Sequence, residues 1–251
     1  EAHGIPVLHD LPGVGQNLQD HLMVLAKYAC PQPITLAGAQ TLGNLLRYLL
    51  FRRGPLTSNF CEFVSFVKSD PQLPGPDLEI AGGPGYYDLL NPSARHAFSV
   101  AAVLLQPHSV GQVRLASADP FKKPLVDPNY LSDPEGADLG RLMHGVRLMR
   151  QLAESDPLSP YRGEQLVADA ACQSDEELEA FIRGAAETIY HPVGTCRMGR
   201  DPLAVVDERL HLHGIGGLRV VDASVIPTIV RGHPHATVVM LAEKTADYLR
   251  N

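Results

Sequence analysis

The sequence predicts an α+β fold, an antiparallel sheet flanked by helices, and three observations carry that expectation. Several short β-rich runs follow one another in the first half of the chain. Two longer stretches, around 41–53 and 134–154, place apolar residues at helical spacing. The 251 residues, 45% hydrophobic and 20% charged, are enough to bury a core of ordinary composition.

Taken in order, Ile5 to Asp10 reads as a short strand. Leu11-Pro12-Gly13-Val14-Gly15-Gln16-Asn17-Leu18-Gln19-Asp20-His21 follows. Its Gly-Val-Gly resembles the start of a dinucleotide-binding fingerprint, but Leu18 stands where the third glycine is required. The match is rejected. Gly13 and Gly15 are expected to permit tight turns, and Asn17 and Asp20 to bond local amides. His21 to Cys30 reads as a strand. Leu42, Leu45, Leu46, Leu49 and Leu50 give a helix over 41–53, stopped by Gly54-Pro55.

Glu62 to Lys68, Asp77 to Ala81, Ala97 to Gln106 and Gly111 to Ser117 read as strands, the last two joined by a turn around His108 to Gly111. A long amphipathic helix is predicted from Pro134 to Glu154, capped by Ser132 or Asp133. Another begins at Ser174-Asp175-Glu176-Glu177, with acids suited to its positive end. Leu218 to Val221 is predicted as a buried strand ending at Asp222, and Ala236 to Arg250 as a helix carrying Val238, Val239, Leu241, Ala242, Ala246 and Leu249.

The net charge of −7 argues against a general nucleic-acid binder, whose affinity comes from Lys and Arg on phosphates. No apolar run reaches membrane-spanning length. Nothing near Glu1 resembles a signal peptide; without an initiator Met the chain reads as beginning inside a larger protein, and its location stays open, the cytoplasm being the default. Cys30, Cys61, Cys172 and Cys196 are scattered, with no histidine at ligand spacing. No metal site is expected, and all four are read as reduced thiols packed like small hydrophobes.

The chemistry gathers in the last third. Tyr190-His191-Pro192-Val193-Gly194-Thr195-Cys196-Arg197-Met198-Gly199 holds one histidine between residues that restrict the backbone, and Arg231-Gly232-His233-Pro234-His235-Ala236-Thr237 brings two more to the mouth of an apolar helix. A helix start offers unpaired amides to an anion or an electron-rich ring. Imidazole, titrating nearest neutrality, is the usual carrier of a proton between substrate and solvent.

Tyr190 to Gly199, with Leu218-Arg219-Val220-Val221-Asp222-Ala223-Ser224-Val225-Ile226-Pro227 and Ala242-Glu243-Lys244-Thr245-Ala246-Asp247, resemble the C-terminal signature blocks of the glucose–methanol–choline (GMC) flavin oxidoreductases. Gly13 to His21, Gln112 to Pro120 and Asp127 to Pro134 are similar to earlier blocks of that family, in the same order. The resemblance implies an FAD enzyme that oxidises an alcohol by hydride transfer to flavin N5, of which this chain is the C-terminal half. The Gly-rich motif that holds the ADP part of FAD would belong to an N-terminal partner half, on the same gene product or a separate chain.

By the same resemblance residues 1–24 connect from the FAD-binding half, 25–187 form the substrate domain, and 188–251 return to complete an FAD-binding α/β domain. His191 is implied as the principal base and His233 as its partner, a position held by His in some members and Asn in others. Asp222 and Ala223 would approach the diphosphate and ribityl region, and Pro234, His235 and Ala236 the pyrimidine side of the flavin. The sequence departs from many relatives at Gly232-His233-Pro234-His235-Ala236, where they carry Asn-x-Asn. Glu62 falls near an acidic position of choline-oxidising relatives, although a solvent-facing strand carboxylate is the plainer reading. Arg231 could meet an acidic substrate or simply solvate its loop. Two other functions compete: a flavin-retaining lyase acting on cyanohydrins, and a non-catalytic fragment that binds a partner chain.

Overall fold

The computed structural model describes residues 3–87, 95–167, 172 and 174–250. Its regular elements are β1 (Leu22–Ala29), α1 (Leu42–Phe51), β2 (Phe63–Val67), β3 (Leu78–Gly83), β4 (Ala97–Leu104), β5 (Gln112–Arg114), β6 (Leu125–Asp127), α2 (Ala137–Ala153), α3 (Asp175–Ala185), β7 (Glu187–Thr188) and α4 (His235–Arg250). They form the α+β fold that the sequence predicts. The chain divides into two compact units, one made of 22–104 and 139–187, the other of 1–21, 105–138 and 188–251. Residues 105–138 thus group with the two ends of the chain rather than with the sheet.

The first unit is built on an antiparallel sheet in the order β2-β3-β4-β1-β7. Strands β2, β3 and β4 run as a meander. The connection through α1 lets β1 pair with β4 on the far side, from Leu22 opposite Leu104 to Ala29 opposite Ala97. Residues of β3 are buried throughout, and those of β4 almost throughout, so both strands are mostly apolar runs rather than alternating ones, interrupted by the buried Glu79 and Ser99. One cover is α2, which buries Leu142, Val146, Met149 and Ala153 along a single stripe. Gly145 permits its close approach: a Cβ there would lie 3.2 Å from that of Ala102. α3 buries Leu178 and Ile182, and its start is closed by a reciprocal capping box between Ser174 and Glu177.

α1 is inverted. Thr41 caps it by accepting from the Asn44 amide at 3.2 Å, and Arg52, left-handed at φ 53°, ends it. Its leucine stripe faces solvent: Leu42, Leu45, Leu46, Leu49 and Leu50 are 44–73% exposed. The less exposed residues are Asn44 and Tyr48, so the polar edge is the one turned to the unit.

The second unit is held by loops crossing one another. The stretch 13–19, turned over Gly13 to Gly15 and bridged at Leu18 and Gln19, runs between two neighbours. On one side Leu18 exchanges backbone bonds with Gly111, and Val113 donates to Gly15. On the other, Gly15 donates to Thr195, and Gln19 exchanges bonds with Val193. Gly15 (φ 80°) needs the left-handed region, and a Cβ there would strike the Val113 carbonyl. Beneath lie two small clusters, Val205, Val206, Leu210 and Val225 in one, Val193, Ile226 and Ile229 in the other.

Three sequence expectations are corrected. Ile5 to Asp10 forms no strand; the run is exposed, and Pro6 removes one of its donors. The strand at 112–114 does not fold back on β4 but pairs with β6, Gln112 opposite Asp127. Leu218 to Val221 is no buried strand: it keeps a single bridge, Arg219 to His211, and Leu218 is 49% exposed. Apolar content alone signals neither pairing nor burial at such lengths.

Candidate active site

The second unit brings His191 and His233 together, their ring centroids 4.8 Å apart and edge to face. Both sit on loops with little freedom. Before His191, Tyr190 is left-handed (φ 64°), and Gly194, three residues on (φ 96°), packs against the Asn17 carbonyl where a side chain could not fit. His233 precedes Pro234, which is buried at the start of α4.

A third imidazole completes the cluster and was missed in the sequence. His21 is fully buried, and its Nδ1 lies 3.0 Å from Nδ1 of His191. Its Nε2 lies 3.2 Å from both the Leu105 and Val230 carbonyl oxygens. Next to it, the carboxylate of Asp20 is saturated. Oδ1 accepts from the backbone amides of His21 and His191, each at 2.9 Å. Oδ2 accepts from the Tyr130 hydroxyl at 2.6 Å and from Thr188. One buried carboxylate thus sets the spacing of two histidine backbones. Four donors offset the cost of burying its charge.

Asn17 and Gln19 extend this stapling. The Asn17 side chain donates to the distant carbonyls of Gly194 (3.3 Å) and Pro227 (3.1 Å), a role beyond the local bonding expected of it, while Asp20 does accept from the local His21 amide. Gln19 donates to Asn17 and Pro227 and accepts from the Ile229 amide. The loops carrying His191 and His233 are therefore tied to one strand-like segment. Of the run from Gly13 to His21, Gly13 and Gly15 lie in a turn as expected, and each also lets a neighbouring backbone approach closely. Its polar side chains are the scaffold of the histidines. The available signal was a polar Gln-Asp-His run placed directly before an apolar strand.

The electrostatics favour neutral rings. Burial, aided by the neighbouring His191, lowers the His21 pKa from its ordinary 6.5 to about 4, against the opposing pull of Asp20. Burial, and then the charge of His233, lowers His191 to about 4 as well. Tyr130 is pushed well above its usual range by burial and by the carboxylate it bonds.

The remaining expected residues line up around α4. Asp222 is exposed and caps a short turn by accepting from the Ser224 amide at 2.8 Å. Ala223 packs with Val238 against the Val193 cluster. His235 and Ala236 are exposed in the first turn of α4, where backbone amides lack helical partners. This donor set suits FAD: an outward carboxylate to accept from a ribityl hydroxyl, and open amides beside a small residue to meet the electron-rich pyrimidine edge.

Glu62 is exposed, accepts from Ser58, and lines an apolar cavity of about 310 Å³ in the sheet unit with Phe63, Phe98 and Tyr161. Among the described residues one trio could hold a metal ion, His108, Asp133 and Asp138. Both carboxylates are already engaged, Asp133 by the amides that start α2 and Asp138 by those of His108 and Ser109. Of the two caps expected for that helix, Asp133 is the one used. The four cysteines are free thiols, but only Cys30 is buried; Cys61, Cys172 and Cys196 are half-buried.

Comparison with known proteins places the chain in a family. The family profile described as GMC oxidoreductase matches residues 107–242. An uncharacterized GMC-type oxidoreductase of Mycobacterium tuberculosis is 43% identical, over 99% of this chain and 48% of its own length. The alcohol dehydrogenase [acceptor] of Pseudomonas putida is 41% identical over 99% of this chain and 46% of its own. Pyridoxine 4-oxidase from Mesorbium loti superposes with a TM-score of 0.80 at 29% identity, over 98% of this chain and 45% of its own. The chain therefore spans about half the length of the curated relatives it matches. No helix among the described residues is long and apolar enough to cross a membrane. With more than half of its residues inside the family profile, the chain belongs to the GMC oxidoreductases, a family of FAD-dependent enzymes.

Proposed function

We propose that this chain is the C-terminal half of an enzyme that oxidises an alcohol, working with a half that grips the nucleotide end of FAD. The observation that carries the reading is the meeting of His191 and His233, 42 positions apart in sequence, on loops stapled to one segment. When bound, FAD supplies the hydride acceptor. Everything else asked of the site falls to the chain.

For a carbinol to give up hydride its hydroxyl proton must leave before it or along with it, and an imidazole neutral at working pH can take that proton. His191 is lowered to about 4 and so is available as a base throughout the neutral range. His233, beside it, holds the developing alkoxide and limits the directions from which a hydroxyl can approach. In this reading residues 188–251 close over the flavin, with Asp222 and Ala223 toward its ribityl chain and Pro234, His235 and Ala236 toward its pyrimidine edge. The open amides of α4 then favour the negative charge of the reduced ring. Identities of 41% and 43% to an alcohol dehydrogenase and a GMC-type oxidoreductase support the same chemistry.

The test is anaerobic bleaching of the flavin by an alcohol. In the enzyme assembled from this chain and its nucleotide-binding half, His191→Ala should slow reduction by at least about a hundredfold while FAD stays bound. Near-normal reduction in that variant removes the base assignment. Bound flavin that no alcohol reduces in the unaltered enzyme replaces this reading with the lyase.

A further inference from the structure

We infer that His21, held between two backbone carbonyls, is a positioning residue that makes His191 carry its ring proton on Nδ1 and present a lone pair at Nε2. The inference deepens the proposed function and rests on it for its catalytic meaning, though its geometry stands alone. The argument is one of donors and acceptors. Nε2 of His21 lies 3.2 Å from the oxygens of Leu105 and Val230. Carbonyl oxygens only accept, so Nε2 bears the hydrogen and shares it between them.

A neutral ring protonated there has a bare Nδ1. That atom lies 3.0 Å from Nδ1 of His191, which must then be the donor. His191 has one ring hydrogen when neutral, and it is committed to His21; its Nε2 is left with a lone pair. This is the less common form of a histidine free in water, so the protein has to impose it. The opposite tautomer would turn a hydrogen toward the substrate and could not accept one.

Asp20 keeps the device in register. The backbone amides of His21 and His191 converge on its Oδ1, while Tyr130 and Thr188 hold its Oδ2. The arrangement also says where the abstracted proton stays. The new N–H bond forms at Nε2 of His191. Onward transfer through Nδ1 would place a cation in a ring with no exposed surface, whose far nitrogen faces carbonyls that cannot take a proton. His21 is an anchor and not a relay, so the proton leaves His191 by the side on which it arrived.

The test is two-bond 15N–1H correlation of the histidine rings in the flavin-loaded enzyme, this chain together with its nucleotide-binding half, labelled on histidine. The expected pattern is Nδ1–H for His191 and Nε2–H for His21. In His21→Leu the His191 signals should move to the Nε2–H form, and flavin reduction by an alcohol should fall by at least about tenfold. His21→Asn places an oxygen where Nδ1 stood, and should keep both the Nδ1–H pattern and most of the rate.

An Nε2–H pattern for His191 in the unaltered enzyme overturns the inference without need of any variant. So does an Nδ1–H pattern that survives His21→Leu. If the tautomer changes as expected while the rate does not, the positioning role stands. The base role of His191 is then what fails, which His191→Ala decides separately.

Discussion

Gln19, Asp20 and His21 are buried, and so are the residues that follow them in β1. Within six positions the chain passes from an interior made of hydrogen bonds to one made of hydrocarbon. In the first, each group is fixed by direction: a carboxylate with four donors, an imidazole with a donor at one nitrogen and two acceptors at the other. In the second, Leu22, Val24 and Ala26 are fixed only by volume. A polar interior cannot slide, because any shift orphans a buried group. An apolar one tolerates exchange of shape so long as space stays filled. α1 lies at a third extreme, with an apolar stripe facing solvent.

Breaking the polar interior should have the largest effect. Asp20→Ala strands the amides of His21 and His191 with the hydroxyls of Tyr130 and Thr188. It should lower unfolding free energy by about 4 kcal/mol, read from urea denaturation. Asp20→Asn keeps an acceptor on each side of the conflict only in part and should fall between. An apolar counterpart, Leu104→Ala in β4, should cost about 3 kcal/mol, because the sheet around it can collapse only partly into the gap. If Leu104→Ala costs more than Asp20→Ala, the contrast drawn here is wrong.

Acid sharpens the contrast further. His21 and His191 sit near pKa 4, below the ordinary 6.5, so the unfolded chain takes up protons that the folded one refuses. Their contribution is fully present above about pH 6.5, is lost as pH falls toward 4, and changes no further below it. Urea midpoints followed across that window should drop, and His21→Asn should shrink the drop. Replacing Leu104 should leave its pH slope untouched. The smallest effect belongs to α1: Leu49→Ser, at 56% exposure, should change stability by less than about 0.5 kcal/mol in this chain.

Much of the fold is legible because strands such as β4 and the stripe of α2 state their burial in their spacing. The same spacing misleads at α1. Leu42, Leu45, Leu46, Leu49 and Leu50 predict a helix correctly, and would equally predict a buried face, yet a periodic pattern says nothing of what lies opposite. Partner choice is hidden for a related reason, since the strand at 112–114 fits two edges and only packing selects β6. In the site, His191 and His233 are visible because Pro and Gly fix the backbone beside them. His21 is not, because its neighbours Gly13 and Gly15 invite a reading in terms of turns. What makes His21 matter is carbonyls 84 and 209 residues away.

Those separations also fix the order in which the site can come into being. Asn17 grips carbonyls 177 and 210 positions downstream, and His21 needs Val230. Contacts between such distant stretches close late, since the loop entropy must be met before they reward it. A chain still leaving the ribosome has its sheet strands in hand but no assembled histidine cluster until residues 191 to 233 have followed them. Reactive chemistry is thereby withheld from any product of synthesis that stops short of the second histidine loop.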